Sequence, residues 1–323
     1  MDVLEAEPKV RANDHAKFHA LVERAQKHDP LKVAVAHPCD QVSLESVAEA
    51  AKLKLIEPIL VGPEQRIREV AAKHGVDISG FEIVDAKYSQ DSAEKAVELV
   101  REGRAEALMK GSLHTDELMG AVVKRDTGLR TSRRISHCFV MDVPDHDQPL
   151  IITDAAVNIA PDLKCKVDIT QNAIDLARAL GQKEVRVAIL SAMESVNPDV
   201  PSTLEAAALC KMADRGQITG ALLDGPLALD NAISPEAAAI KKISSPVAGR
   251  ASVLVVPDLE AGNMLAKSLS FLADADAAGI VLGAKVPIIL TSRADEETAR
   301  LASCAVAQLV AAARRSDASA AIQ

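Results

Sequence analysis

Short aliphatic runs alternate with longer segments of helical periodicity along almost the whole chain. The run KVAVAHP at 32–38 predicts a strand, SLESVAEAAKL at 43–53 a helix, and EPILVG at 57–62 the next strand. Two later helical patterns end at Gly75 and Gly103, where a helix commonly stops. This alternation is typical of parallel strands joined by helical crossovers. We therefore predict an α/β fold with doubly wound sheets.

The pattern changes near residue 136. SHCFVMDVP at 136–144 and PLIITDAAVNIAP at 149–161 follow each other as two strands, with only the turn-like DHDQ between them. At 323 residues, the chain also exceeds the size at which one hydrophobic core usually stops growing. We predict two α/β lobes that meet near this point, with a cleft between them.

The composition limits the classes of molecule that the protein could bind. Aromatic residues make up 2% of the chain and the formal net charge is -9, which argues against nucleic acid because its binding needs basic surface and stacking rings. A small anion could still bind in a local basic pocket or at a helix N-terminus. No apolar run approaches the length of a membrane span, and the N-terminal residues lack the apolar core of a signal peptide.

Cysteine usage points to a reducing compartment. The five cysteines are scattered, without the spacing of a zinc site or close pairs that suggest disulfides. We predict free thiols, no bound metal, no membrane partner and a cytoplasmic location.

In parallel sheets, ligands bind beyond the carboxyl ends of strands, and LTSRADEE at 290–297 is such an end. Ser292 and Arg293 would place a hydroxyl, a guanidinium and free helix N–H groups together, which suits an anion. Ser292 could equally be a simple helix cap. The residues alone leave both interpretations open.

Other strand ends are less specific. Asp224, Gly225 and Pro226, followed by Asp230, predict a turn after a strand, and a plain loop is the favoured interpretation. The basic stretch at 124–134 could bind phosphates, although a solvated loop is the commoner role. The sequence contains no GxGxxG after its first strand, no GxxxxGK[ST] and no GxSxG, which weakens dinucleotide, P-loop and hydrolase hypotheses.

Four segments carry a family resemblance in content, order and spacing. They are ITDAAVNIAP at 152–161, LLDGPLALDNAI at 222–233, SPVAGRASVLVVPDLEAGNMLAK at 245–267, and VLGAKVPIILTSRA at 281–294. Together they resemble the phosphate acetyl/butyryltransferase family, and in particular its shorter, butyryltransferase-like branch, whose relatives sometimes carry an N-terminal hydratase-like domain.

The resemblance implies a fold and an assembly. It implies two lobes like those of isocitrate and isopropylmalate dehydrogenases, an active site in the cleft, and a homodimer. It also implies that the last strand and helix return to the first lobe. The expected lobes are therefore residues 1–137 with 290–323, and residues 138–289.

The resemblance also implies the reaction. An acyl group moves between coenzyme A and inorganic phosphate, and the thiol attacks the acyl phosphate directly, with no required metal and no permanently bound cofactor. The expected partners are acyl-CoA, phosphate and acyl phosphate. Because a free thiol has a pKa of about 8.5, a base or a positive field should help to form the thiolate.

Residue roles follow position by position from the resemblance. Ser292 matches a serine that hydrogen-bonds at the reacting centre, and Arg293 an arginine that holds phosphate or the acyl carbonyl. Further positions match family motifs as expected substrate-binding residues: Lys110, Asp154, Asn158, Asp224, Gly225, Pro226, Asp230, Asn263, Lys267 and Lys285.

The sequence departs from the acetyltransferase branch at two positions. The proposed base of that branch, an aspartate seven residues after the serine, is Ala299 here, which leaves Asp295, Glu296, Glu297 or water as candidates. An arginine of that branch is replaced near Gly120.

Several alternatives stay open. One methylene is worth only about 1–3 kcal/mol of discrimination, so acetyl and butyryl both remain, and we predict acetyl because acetyl-CoA is the commoner metabolite. A non-catalytic acyl-CoA-sensing domain is a second hypothesis, against which the Ser292–Arg293 pair argues. An oxidoreductase of the same fold class is a third, and its metal and dinucleotide signatures are missing from the sequence.

Overall fold

The structure, a computed structural model, describes residues 15–144, 146–290 and 296–320. The strands in these ranges are β1 (Leu31–Ala36), β2 (Ile56–Gly62), β3 (Glu82–Asp85), β4 (Ala107–Lys110), β5 (Ser136–Asp142), β6 (Leu150–Thr153), β7 (Arg186–Leu190), β8 (Leu222–Leu227), β9 (Val253–Val255), β10 (Asp276–Leu282) and β11 (Ile288–Ile289). The helices are α1 (Ala16–Ala25), α2 (Gln41–Lys52), α3 (Glu64–His74), α4 (Ser89–Arg101), α5 (Thr115–Val122), α6 (Leu163–Ala179), α7 (Pro201–Asp214), α8 (Leu229–Ile233), α9 (Pro235–Ile240), α10 (Leu259–Leu272) and α11 (Glu297–Ala320).

These strands form one continuous sheet in the order β3-β2-β1-β4-β11-β10-β5-β6-β9-β7-β8. The strands β3, β2, β1, β4 and β11 are mutually parallel, and so are β6, β9, β7 and β8. In the centre, β10 is antiparallel to β11 and β5, and β5 is antiparallel to β6. The two parallel sets therefore run in opposite directions, and the predicted α/β fold is confirmed.

Local signals explain where many helices begin and end. The carboxylates of Asp40, Asp162 and Asp258 accept hydrogen bonds from backbone N–H groups in the first turns of α2, α6 and α10. Gly75 and Gly103 follow α3 and α4 with φ of 68° and 74°, in the left-handed region that ends helices. Both predicted helix ends are confirmed.

Among the residues that the structure describes, three apolar clusters cover the sheet. The α11-side cluster includes Phe18, Val35, Cys138, Ile280 and Ala305. The α5-side cluster includes Ala36, Leu108, Leu118, Val281 and Ile288. The α10-side cluster includes Met141, Ile152, Leu254 and Ala266, with Phe139 and Ala277 packed against it.

The strand β10 shows which clusters share a face. Successive strand residues point to opposite faces, so Ala277, Gly279 and Val281 lie on one side and Ile280 on the other. Because Ala277 packs on the α10-side cluster and Val281 belongs to the α5-side cluster, these two clusters lie on the same face. Gly279 marks the junction between them.

The sequence pattern missed β10. Its sequence, DAAGIVL, begins with alanines and a glycine, which have low strand propensity, and directly follows α10. The pairing of β11 with β4 brings the end of the chain back beside the N-terminal strands. The division into two lobes stays a prediction. No helix in the three described ranges is long and apolar enough to cross a bilayer.

Candidate active site

The predicted catalytic pair, Ser292 and Arg293, lies outside the described residues. Leu290, two positions earlier in the sequence, is half-buried and packs against the α5-side cluster. Its carbonyl oxygen approaches β10 so closely that a Cβ placed on Gly279 would lie 2.6 Å from it. The end of β11 therefore lies over the junction of the two clusters.

Asp154 follows β6 and organises a short loop, which we call the 154–158 loop. Its buried carboxylate accepts the backbone N–H groups of Ala156 and Val157, each at 3.0 Å, and of Asn158 at 3.1 Å. The Asn158 side-chain amide donates to Asp154 Oδ2 at 2.6 Å and to the Ile135 carbonyl at 2.9 Å. Asp154 and Asn158 thus act together to fix the loop.

Helix α10 packs on the same loop. The Asn263 amide donates to the Ala155 carbonyl at 3.3 Å. A Cβ on Gly262 would lie 3.0 Å from the Cβ of Ala155, so the glycine permits close approach. The structure therefore brings together three of the predicted residues, Asp154, Asn158 and Asn263.

His137 is a buried group near this loop that the sequence analysis missed. Its ring contacts that of Phe139 edge-on, with centroids 4.4 Å apart, and its Nδ1 has no hydrogen-bond partner among the described residues. Burial lowers the pKa of His137 to about 4, and the negative charge of Asp154 partly opposes this shift. The ring is therefore neutral near neutral pH. A single histidine within an apolar strand offers no sequence signal of this environment.

The predicted turn at Asp224, Gly225 and Pro226 is wrong, because these residues lie inside β8. A Cβ on Gly225 would lie 2.7 Å from the Ile189 carbonyl oxygen, so the glycine serves a close approach between strands. Pro226 is tolerated because β8 is the last strand of the sheet order.

The side chains around this segment are more open than those of the 154–158 loop. Asp224 is half-buried, and its Oδ1 accepts the Gly225 N–H at 2.9 Å. Burial, followed by the negative charge of Asp224, raises the pKa of the Cys210 thiol to about 12. Asp230 is exposed in the first turn of α8.

Of the three predicted lysines, Lys110 and Lys285 are not brought together. Lys110 ends β4, is half-buried, and its Nζ lies 3.3 Å from the Gly111 carbonyl. Lys285 is exposed before β11, at the opposite end of the β4–β11 pair. Lys267 is exposed on α10.

The candidate positions for a base differ in their surroundings. Ala299 is buried in the α11-side cluster, so its side chain points into the core. Glu297 is exposed and lines a surface depression with His74 and Arg300, beside α2 and α3. Glu296 is exposed, and Asp295 lies outside the described residues.

Comparison with solved structures identifies the fold. The chain is similar to a branched-chain phosphotransacylase from Enterococcus faecalis V583, with a TM-score of 0.77 and 31% identity, over 87% of this chain and 99% of that one. The fold is therefore that of the phosphotransacylases.

Sequence comparison is more specific. The family described as phosphate acetyl/butaryl transferase matches residues 17–97 and 86–308. A phosphate acetyltransferase of Rhizobium meliloti is 65% identical over 93% of this chain and 95% of its own length. A phosphate butyryltransferase of Clostridium acetobutylicum is 42% identical over 91% of this chain and 98% of its own. The chain belongs to the phosphate acetyl/butaryl transferase family.

Proposed function

We propose that the protein is a phosphate acetyltransferase, which moves an acetyl group reversibly between acetyl-CoA and inorganic phosphate. The observation that carries the proposal is its 65% identity, over 93% of the chain, to a phosphate acetyltransferase. The 42% identity to a phosphate butyryltransferase makes longer-chain transfer the alternative.

In the proposed reaction, the coenzyme A sulfur attacks the carbonyl carbon of acetyl phosphate. A C–S bond forms, the C–O bond to phosphate breaks, and phosphate leaves with the electron pair of that bond. Arg293 would stabilise the negative charge on the phosphate or carbonyl oxygens, and Ser292 would hydrogen-bond at the reacting centre. The thiol proton passes to a base other than residue 299, because alanine occupies that position and points into the core.

The other expected residues receive two kinds of role. We propose that Asp154, Asn158 and Asn263 shape one wall of the site, since they fix the 154–158 loop on α10. Asp224 and Asp230, together with the three lysines, would position the substrates. Gly225 and Pro226 would act by keeping β8 close to β7.

A homodimer would cover the apolar surface of α10. Met264, Phe271 and Leu272 are 63%, 85% and 86% exposed, which is unusual for three large apolar side chains on one helix. We propose that a second copy of the chain packs here. Sedimentation of Phe271→Lys as a monomer, beside a dimeric wild type, would support this arrangement.

The test of function is phosphate-dependent release of free thiol from acetyl-, propionyl- and butyryl-CoA, without added metal. Ser292→Ala and Arg293→Ala should each lose most of the activity. Ser79→Ala and Arg104→Ala, which change exposed residues beside the edge strand β3, are the matched controls. A folded wild type that binds coenzyme A but releases no thiol would overturn the proposal and favour a sensing domain.

A further inference from the structure

Two loops meet at the carboxyl ends of β1 and β4, where the order of the strands reverses. Strand β2 lies on one side of β1, and β4 lies on its other side. In parallel sheets, ligands bind beyond the carboxyl ends of strands at such a reversal. We call the segments that follow these two strands, residues 37–40 and 111–114, the paired loops.

The paired loops are locked together by close contacts of the backbone. The Gly111 N–H donates to the Ala36 carbonyl at 2.9 Å, and the Ser112 N–H donates to the His37 carbonyl at 2.9 Å. The Ser112 hydroxyl donates to the same His37 carbonyl at 2.8 Å. A Cβ on Gly111 would lie 2.6 Å from the His37 carbonyl oxygen, so glycine is required here. The turn that follows Lys110 is therefore tied to His37.

The backbone of His37 adopts a conformation that side chains usually avoid. Its φ is 56°, in the left-handed region, which few residues other than glycine occupy. Its N–H donates to the Val61 carbonyl of β2 at 2.7 Å, while its carbonyl is held by Ser112. Such conformations persist only where the surroundings fix them, and they concentrate at functional sites.

The ring of His37 anchors this strained residue on α4. The ring is buried, and its Nδ1 lies 3.0 Å from the Ser92 hydroxyl. That hydroxyl donates to the Tyr88 carbonyl at 2.9 Å, so it accepts a hydrogen bond from the His37 Nδ1–H. Burial, followed by the charge of Arg66, lowers the pKa of His37. The ring is therefore neutral near neutral pH, with its proton on Nδ1.

We propose that His37 is a positioning residue for phosphate, because it fixes the turn that follows Lys110. This inference rests on the proposed function, in which Lys110 helps to position the substrates. Lys110 Nζ lies 3.3 Å from the carbonyl of Gly111, so movement of the turn would displace a group beside the ammonium. A lysine ammonium binds phosphate as a compact point charge, so phosphate is the substrate whose binding should depend on the turn.

The test compares the KM for inorganic phosphate with the KM for acetyl-CoA, in the direction that releases thiol. His37→Ala should raise the KM for phosphate about tenfold and leave the KM for acetyl-CoA within about twofold of the wild type. His37→Asn should stay close to the wild type for both, because asparagine tolerates a positive φ and its amide can donate in place of Nδ1–H. Ser112→Ala, which removes one donor to the His37 carbonyl, should raise the KM for phosphate about threefold.

A double-mutant cycle shows whether His37 acts through Lys110. In a Lys110→Ala background, His37→Ala should produce no further rise in the KM for phosphate. Lys54→Ala is the matched control for the backbone conformation, since Lys54 is exposed, has a φ of 58°, and precedes β2 at the opposite end of the strands. It should leave both KM values unchanged.

Other outcomes separate the inference from the proposed function. An unchanged KM for phosphate in Ser112→Ala, together with His37→Ala that is either unchanged or unfolded, would overturn the inference. Equal rises in both KM values, or additive effects of His37→Ala and Lys110→Ala, would also overturn it, since His37 would then only support the fold. Absence of thiol release by the wild type with every acyl-CoA would instead reject the proposed function.

Discussion

Asp154 and Asp224 both follow apolar strand sequence and both match family motifs, yet their surroundings differ. Asp154 is buried and accepts three backbone N–H groups and one side-chain amide. Asp224 is half-buried, and the hydrogen bond described for its carboxylate comes from the next residue, Gly225. The Asp154 carboxylate therefore uses its lone pairs to hold its own loop, whereas the Asp224 carboxylate can still accept hydrogen bonds from a ligand.

This difference in hydrogen bonding shows that two aspartates at family motif positions can have different roles. A carboxylate whose oxygens are saturated by protein donors shapes a site without binding substrate directly. A carboxylate with open lone pairs can receive donors from a substrate. Stability and activity should therefore separate between the two regions when each is altered.

The largest effect is expected for Asp154→Ala. The change leaves three backbone donors of the 154–158 loop without their acceptor, and hydrogen bonds to charged groups are each worth about 1.5–3 kcal/mol. We expect the free energy of unfolding to fall by about 4 kcal/mol, measured by urea denaturation. Activity should be lost as well.

Asp162→Ala provides the matched control for that loss. Asp162 is exposed and accepts a single N–H, that of Cys165 at 2.7 Å, as the cap of α6. Its removal should cost only about 1 kcal/mol. Equal losses for the two variants would show that the hydrogen bonds of the loop add nothing beyond an ordinary cap.

The next effect concerns pH and the buried ring beside Asp154. Burial lowers the pKa of His137 from 6.5 to about 4, so the unfolded chain binds this proton more readily than the folded chain. The free energy of unfolding is therefore highest above pH 6.5, where the ring is neutral in both states. It falls as the pH drops toward 4, because the unfolded chain takes up a proton that the folded chain does not. We expect the wild type to lose up to about 3 kcal/mol more than His137→Asn across this window.

The measurement is the free energy of unfolding of both proteins at several pH values. Comparison of slopes removes the constant packing cost of the substitution. His28→Asn, which changes an exposed histidine, should keep the wild-type slope. Parallel curves for the wild type and His137→Asn would contradict the buried, neutral state of the ring.

Gly225→Ala tests the region around Asp224 in β8, where we expect a smaller loss of stability. The added methyl group would lie 2.7 Å from the Ile189 carbonyl oxygen, which requires β8 to move. Overpacking of this kind costs about 1–3 kcal/mol, measurable by denaturation. Gly120→Ala is the control, because the space around Gly120 in α5 is open and alanine favours a helix. A neutral Gly225→Ala would show that β8 adjusts freely.

These particular residues show how far sequence could predict the molecule. The alternation of strands and helices and the glycines at 75 and 103 gave the fold class and two helix ends, because both depend on local backbone preferences. The Asp224–Pro226 segment was mistaken for a turn, since glycine and proline are ambiguous until the position of β7 is known. The close approach of Gly225 to Ile189 joins residues that are far apart in the sequence, so local sequence could not reveal it.

The residues of the candidate site were also only partly predictable from the sequence. Motif resemblance indicated Asp154, Asn158 and Asn263, which the structure joins around Ala155. His137 carried no signal, because its burial depends on packing beside Gly279 of β10, a strand that the pattern itself had missed. The roles of Ser292 and Arg293 stay predictions.

The smallest change in stability is expected for Asp224→Asn, and it gives the sharpest contrast with Asp154. The asparagine Oδ1 can still accept the Gly225 N–H, so the free energy of unfolding should stay within about 0.5 kcal/mol of the wild type. If the open carboxylate positions substrate, kcat/KM for acetyl-CoA should fall about tenfold, equivalent to about 1.4 kcal/mol. Asp214→Asn, an exposed change on α7 opposite Lys211, should alter neither quantity appreciably. An Asp224→Asn variant that unfolds as readily as Asp154→Ala would show that the two carboxylates are structural alike, whereas one with unchanged kcat/KM would remove Asp224 from the site.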